Sequence, residues 1–167
     1  MKKLLLAFKS IKTYRKVSAL LTVMLLCLMW FFSAQNGEDS GRMSGRVLDL
    51  LLKLWGREVS YATREYLAFF VRKAAHFTLF LCLGFLSALA IGSPKRPLQA
   101  FIALPACALC AFVDEAHQYF VAQRAAQLKD CMIDIFGALC GVLLAFGAIW
   151  LLARRSAKKA ALSQAGS

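Results

Sequence analysis

The sequence predicts an all-α integral membrane protein, a four-transmembrane-helix bundle with a short amphipathic extracytoplasmic helix. Three observations predict it. The chain has 167 residues, of which 60% are hydrophobic, against roughly 45–50% in an average soluble domain. A water-soluble chain of one-domain length cannot bury that much apolar surface, so the excess has to face lipid. Four apolar runs approach the ~20 residues that a helix needs to cross the hydrocarbon core. Finally, the net charge of +12 is concentrated in segments that would share one side of the membrane.

The first span is expected over residues 17–35, and its core from Val17 to Ala34 carries no charge. The basic stretch before it is also a feature of a secretory leader. The run is long for a leader, however, and lacks a small-x-small cleavage site, which predicts a retained helix. The second span is expected over residues 68–91 and the third over 98–119, with Pro94 and Pro97 marking the turn between them. The fourth is expected over 131–152. Residues 1–152 then form a single membrane domain, and the tail 153–167, basic and then small and polar, is expected to be a disordered cytoplasmic end.

Charge placement gives the expected orientation. Lys2, Lys3, Lys9, Lys12, Arg15 and Lys16 precede the first span. Lys95 and Arg96 lie in the turn between the second and third, and Arg154, Arg155, Lys158 and Lys159 follow the fourth. Twelve of the 21 Lys and Arg residues thus lie in segments without an acid, leaving nine against the nine Asp and Glu elsewhere. By the positive-inside rule both termini are expected to be cytoplasmic, with the chain multi-pass. No segment alternates basic residues with stacking aromatics in a polar setting, so the charge reads as topology with no nucleic-acid partner. The six cysteines all fall in or beside apolar runs, where Cys behaves as a small hydrophobe. Cys107-x-x-Cys110 lacks a second pair and a βαβ setting, which argues against a redox or metal motif.

Between the first two spans, Arg46 to Arg57 reads RVLDLLLKLWGR. At helical spacing Arg46, Asp49, Lys53 and Arg57 form a polar stripe, with Val47, Leu48, Leu51, Leu54 and Trp55 opposite. Two placements satisfy that pattern: a helix lying on the outer leaflet, or a cap packed on the bundle.

Ionisable residues near the membrane centre cost ~2.5–3.5 kcal/mol each on insertion scales, and less near the ends. Arg72, Lys73, His76, Asp114, Glu115, His117, Asp130 and Asp134 all lie at span ends, and the topology places every one toward the outer leaflet. Arg72 and His76 share a helix face, as do Asp114, His117 and Gln118. Asp130 and Asp134 share a face that continues through Gly137 and Gly141, glycines that let a neighbouring helix approach closely. Arg124 lies in the short loop between the third and fourth spans. The plain alternative is a set of salt bridges docking the helices, with His76 a satisfied core residue.

FSAQ (Phe32 to Gln35), RKAAHF (Arg72 to Phe77), DEAHQYF (Asp114 to Phe120), Arg124 and D-x3-D-x2-G-x3-G (Asp130 to Gly141) occur in this order, and the set resembles the VanZ-like family. The resemblance spans roughly residues 20–145. It implies a small bacterial membrane protein of the cell envelope; the family is named after an accessory protein of glycopeptide resistance linked to teicoplanin. Two positions depart from the pattern: Phe80 stands where a tyrosine is usual, and Ala122-Gln123 stands where the family has Pro-Gly.

Three functions compete. The first is an enzyme, a hydrolase or transferase acting on a phospholipid or a polyprenyl-phosphate envelope precursor. Its candidate catalytic residues are His76, Asp114, Glu115, His117 and Asp134, and its candidate substrate-binding residues are Arg72, Lys73, Gln118, Arg124 and Asp130. The arginines suit bidentate contact with phosphate and the histidines suit proton transfer. The carboxylates either hold a divalent metal or orient a histidine, so the cofactor stays open. The second is a non-catalytic protein that binds a membrane lipid or a partner through the same bases. Transport is third, since four spans make a thin bundle without a visible repeat.

Overall fold

The computed structural model describes residues 2–124 and 127–165. The chain is 87% helical, and four of its helices are long and apolar enough to cross a membrane. α1 covers Lys2–Ser33, α2 Gly37–Trp55, and α3 Tyr61–Ile91. A short 3-10 helix, Pro97–Ile102, leads into α4, Ala103–Tyr119, and α5 runs over Leu128–Ala165. α1, α3, the 3-10 helix with α4, and α5 are the four spans. Their outward faces carry exposed Leu20, Met24, Phe70, Leu109, Phe112, Leu143 and Leu144, apolar surface that only lipid can cover favourably.

The bundle is organised on α3 and α5, which run parallel. A Cβ at Gly137 would overlap the Phe77 carbonyl, one at Gly141 the Leu81 carbonyl, and one at Gly84 the Ala138 carbonyl. Each helix therefore rests on the other's backbone, a distance that only a missing side chain permits. Two apolar clusters flank the seam. Phe80, Leu83, Cys107, Ala111, Cys131 and Ala138 form one toward the start of α5, and Ala88, Ala100, Ala103, Val142 and Ile149 form the other. All six cysteines are free.

The basic segments collect at one end of the bundle, where the Arg15 Nε donates to the Ala90 carbonyl at 2.9 Å. The side chains of Lys2, Lys3, Lys9, Lys12 and Lys159 lie outside the described residues. The opposite end gathers the last turn of α1, α2, the early turns of α3, the end of α4 and the start of α5.

Several boundaries differ from expectation, most of them for a local reason. α2 begins nine residues before Arg46, at Gly37, because the Asn36 side chain accepts from the Asp39 N–H at 2.7 Å and Glu38 and Asp39 occupy the first turn. It stops at Trp55, where Gly56 takes a left-handed φ of 67°. Arg57 therefore leaves the polar stripe and lies over the Trp55 ring, 5.1 Å from its centroid. The third span opens as a 3-10 turn rather than α-helix, and the change to α at Ala103 puts Pro105 in the first turn of α4, where its missing N–H costs nothing. The tail expected to be disordered instead continues α5 to Ala165, since Ala, Lys, Arg, Leu and Gln are strong helix formers. Residues 166 and 167 lie outside the described residues. α1 likewise extends back to Lys2.

α2 is docked on α3, which decides in part between the two placements. Gly45 and Leu48 are its buried residues, and Arg64 of α3 grips Asp49 through two hydrogen bonds of 3.0 and 2.8 Å. Those bonds hold the Asp49 carboxyl below its ordinary pKa. Leu50, Leu51, Leu54 and Trp55 point away from the protein and are exposed.

The seam generates a prediction. Gly141→Ala should cost roughly 1–3 kcal/mol, because the Leu81 backbone must move. Gly147 has nothing within 4 Å of a built Cβ, so Gly147→Ala should leave stability unchanged or slightly raised. Thermal unfolding of the detergent-solubilised variants measures both, and equal shifts would refute the close approach.

Candidate functional site

The residues of interest on α3 follow from one helical face. Phe69, Arg72, Lys73 and His76 lie at spacings of three and four, so they project together toward α5 and the loop that precedes it. Asp130, Ile133 and Asp134 of α5 repeat that spacing, continuing through Gly137 and Gly141. Because the glycines seat α5 on α3, the two faces meet in register. Lys73 forms an ion pair with Asp130, and the Nδ1 of His76 lies 3.8 Å from the Oδ1 of Asp134. The Asp134 side chain is only 2% exposed, and that Oδ1 has no hydrogen-bond partner. The Nε of Arg72 is also buried without one. Phe69 lies under both cations, 5.8 Å from the Arg72 guanidinium and 5.0 Å from the Lys73 Nζ, and holds their stems by cation–π attraction.

α4 contributes Asp114 and Gln118, one turn apart. The Gln118 amide donates to the Asp114 Oδ2 at 2.7 Å, which fixes the carboxylate. Asp114, His76 and Asp134 each offer a ligand atom, and those atoms lie within 4.8 Å of one another.

Three cavities open around this group. The first, about 220 Å³, is polar: Lys73, His76, Gln118, Gln123, Asp130 and Asp134 are in its wall. The second, about 510 Å³, is an apolar groove between α1, α2 and α3, with Met29, Phe32, Met43, Val71, Leu79 and Phe80 in its lining and Asp114 at its edge. The two share Arg72, His76 and Arg124. The third, about 550 Å³, lies between α2 and α3 and is lined by Arg42, Arg46 and Arg64 among others. Arg72 lines all three.

Two of the ten residues singled out by sequence belong elsewhere. His117 faces α1, where its Nδ1 is 3.1 Å from the Ser33 Oγ and its ring stacks on Trp30 at 4.5 Å. It shares the DEAHQYF stretch with Asp114, but its ring is spent on docking α1. Glu115 is buried and accepts from the Gln127 N–H, fixing the loop that starts α5. Neither lines the three cavities. Arg124 lines two of them while its guanidinium donates to the Gln35 and Phe32 carbonyls at 3.1 and 3.2 Å, at and just beyond the end of α1, where carbonyls lack helical partners or have weak ones. Burial, then the charge of Arg72, draws the Arg124 pKa below its ordinary value, although an arginine keeps its proton. Asp114 and Glu115 act in the opposite sense. Tyr is usual where Phe80 stands, and Phe80 here is buried in the apolar cluster beside the groove.

Sequence reasoning missed Phe69, Gln123 and Gln127. Phe69 was legible in principle, three residues before Arg72 and four before Lys73. The other two face the polar cavity only because the loop folds back over it.

The comparisons bear on this arrangement. A family model described as VanZ/LLP1 matches residues 18–152, which takes in all four spans and every residue of the site. No curated protein and no solved structure matches the chain.

Gln123 carries a testable cost. It adopts a left-handed φ of 59°, at the position where the resemblance expects glycine, and its carbonyl would overlap any side chain at Gly37. A non-glycine residue in that region loses about 1 kcal/mol or more. Gln123→Gly should therefore raise the unfolding midpoint, by the equivalent of about 1 kcal/mol, in detergent. A lowered midpoint would mean that the glutamine side chain supplies more than its backbone costs.

Proposed function

The chain belongs to the VanZ/LLP1 family, and on that premise we propose that it binds a phosphate-bearing lipid, of the phospholipid or polyprenyl-linked precursor class, and presents the phosphate to His76. The observation that carries this is the continuity of the two cavities: a basic polar pocket and an apolar groove share the walls formed by Arg72, His76 and Arg124. A molecule with an anionic head and a hydrocarbon tail matches both halves at once. Arg72 holds the phosphate oxygens, and Arg124 adds its charge and the Nη1 that its contacts at the end of α1 leave over. The groove takes the first part of the chain and leaves the rest among the surrounding lipid.

His76 stands at the seam with Asp134 behind it, the arrangement of a general acid or base oriented by a carboxylate. That gives a hydrolase or transferase its proton carrier. The alternative, a cluster that only docks helices, is supported by Lys73–Asp130, Glu115–Gln127, His117–Ser33 and Arg124 on the end of α1. Those contacts account for five of the ten residues and leave Arg72, His76 and Asp134 uncommitted.

The site faces the outside of the bacterial cytoplasmic membrane in this proposal, because the basic segments collect at the other end of the bundle. Reporter fusions at the C-terminus check it: a fused fluorescent protein should mature and glow, and a fused alkaline phosphatase should stay inactive. The reverse pattern would invert the topology.

Binding is tested by purifying the wild type, Arg72→Ala and His76→Ala in native-lipid nanodiscs and weighing the co-purifying lipids. The wild type should enrich an anionic phosphate-bearing lipid. Arg72→Ala should reduce that enrichment about 10- to 100-fold, the equivalent of the ~1.5–3 kcal/mol of a charged hydrogen bond. Retention in His76→Ala of a lipid absent from the wild type would indicate turnover. Bulk lipid alone in all three would end the proposal.

A further inference from the structure

We propose that His76, Asp114 and Asp134 form a binding site for one divalent first-row metal ion, Zn²⁺ or Mn²⁺, at the junction of the polar pocket and the apolar groove. The inference goes beyond lipid binding and stands without it, since it rests on the three side chains themselves; with the ion bound, His76 and Asp134 are ligands, and the proton-carrier role given to His76 above falls away.

The geometry is the first support. One imidazole nitrogen and two carboxylate oxygens, from three different helices, lie within 4.8 Å of one another. Metal–ligand bonds of ~2.0–2.2 Å bring neighbouring donors to about 3.3 Å. The three groups therefore need to close by up to about 1.5 Å, a distance that side-chain torsions can supply. Three protein donors with a fourth position left open is the arrangement of a reactive metal site rather than a structural one. His76 and Asp134 line the polar pocket, so a further ligand would reach the ion from there.

The second support is the state of Asp134. Its side chain is 2% exposed and its Oδ1 has no hydrogen-bond partner among the described residues, while His76 is 3.8 Å away. A buried carboxylate left in that condition costs several kcal/mol. Lys73 does not relieve it, being paired with Asp130, and Arg124 is held by backbone carbonyls. Two carboxylates and a neutral imidazole carry a charge of −2, which one divalent cation cancels.

The surroundings fit a ligand set. Gln118 holds Asp114 by its Oδ2 at 2.7 Å, an outer contact of the kind that orients a metal-bound carboxylate. A nitrogen donor beside two oxygens favours Zn²⁺ or Mn²⁺ over Ca²⁺ and Mg²⁺, which take oxygen almost throughout. Arg72 lines the same polar pocket and apolar groove as His76.

The test uses the full chain in detergent, stripped with a chelator, with no lipid added. Zn²⁺ and Mn²⁺ are titrated separately and bound metal is counted by mass spectrometry after desalting. One equivalent per chain is expected for the wild type. Asp134→Asn and Asp114→Asn should weaken binding by at least about 100-fold, and Gln118→Ala by about 10-fold, in keeping with outer-contact losses of 10- to 100-fold. Asp39→Asn, at an exposed acid on α2, should bind like wild type.

Cobalt substitution of the wild type gives a readout that survives if a variant fails to fold. Co²⁺ should show ligand-field absorption of nitrogen and oxygen donors without a thiolate charge-transfer band. Sub-stoichiometric metal in the wild type, undiminished binding in both Asp variants, or a thiolate band from the neighbouring Cys110 or Cys131 would each overturn the assignment. Lipid enrichment in a wild type that binds no metal would leave the headgroup proposal standing while this one fell, so the two are separable.

Discussion

The whole functional end of this protein hangs on the contact between α3 and α5. Two parallel helices ordinarily keep 8–10 Å between axes because side chains intervene. Here Gly84, Gly137 and Gly141 remove those side chains, and each helix lies against the carbonyls of the other. The register set by that contact is what opposes Lys73 to Asp130 and His76 to Asp134 one or two turns above it. A slip of one residue would turn the carboxylates of α5 by about 100° away from the basic face of α3. In lipid, where apolar side chains gain little by meeting one another, such close backbone packing is the strongest means of holding two helices in one register.

Around that seam the charged residues divide by what they touch. Lys73 and Asp130 satisfy each other, Glu115 is used by the loop, His117 by α1, and Arg124 by the end of α1. These contacts explain the FSAQ stretch as well: Ser33 meets His117, and the Phe32 and Gln35 carbonyls receive Arg124. Arg72, His76 and Asp134 are different, since the buried Arg72 Nε and Asp134 Oδ1 have no hydrogen-bond partner among the described residues. Docking contacts and uncommitted groups alternate along the same short segments, which is why neighbours in DEAHQYF have unlike environments.

The loop before α5 and the start of α2 close this end from outside. Gly37 donates to the Ala122 carbonyl at 3.1 Å, and no larger residue fits there against Gln123. With Arg124 holding the end of α1, the chain between α4 and α5 becomes a strap tying α1 and α2 to the core. α2 is in turn gripped by Arg64 and leaves Leu50, Leu51, Leu54 and Trp55 uncovered. An apolar row at this level, beside a groove that opens between α1, α2 and α3, brings lipid and polar pocket into contact.

Composition and charge by themselves determined that the chain is a four-span membrane protein, because apolar length and basic flanks are one-dimensional properties that lipid and water read directly. The ordered motifs likewise sufficed for the family, and the spacing of Gly137 and Gly141 sufficed to predict a close neighbour. Helix ends were less legible: Asn36 capping and Pro105 acted through local backbone geometry that apolar periodicity does not encode. Which polar residues share a cavity was decided only by tertiary structure. His117 and Asp114 are three residues apart on one helix, yet α1 claims the first and the cluster with His76 and Asp134 the second. A sequence states which face of a helix a residue occupies; what lies opposite that face depends on the rotation and register of its neighbours, and here those were set by three glycines and two carbonyl-bound loops.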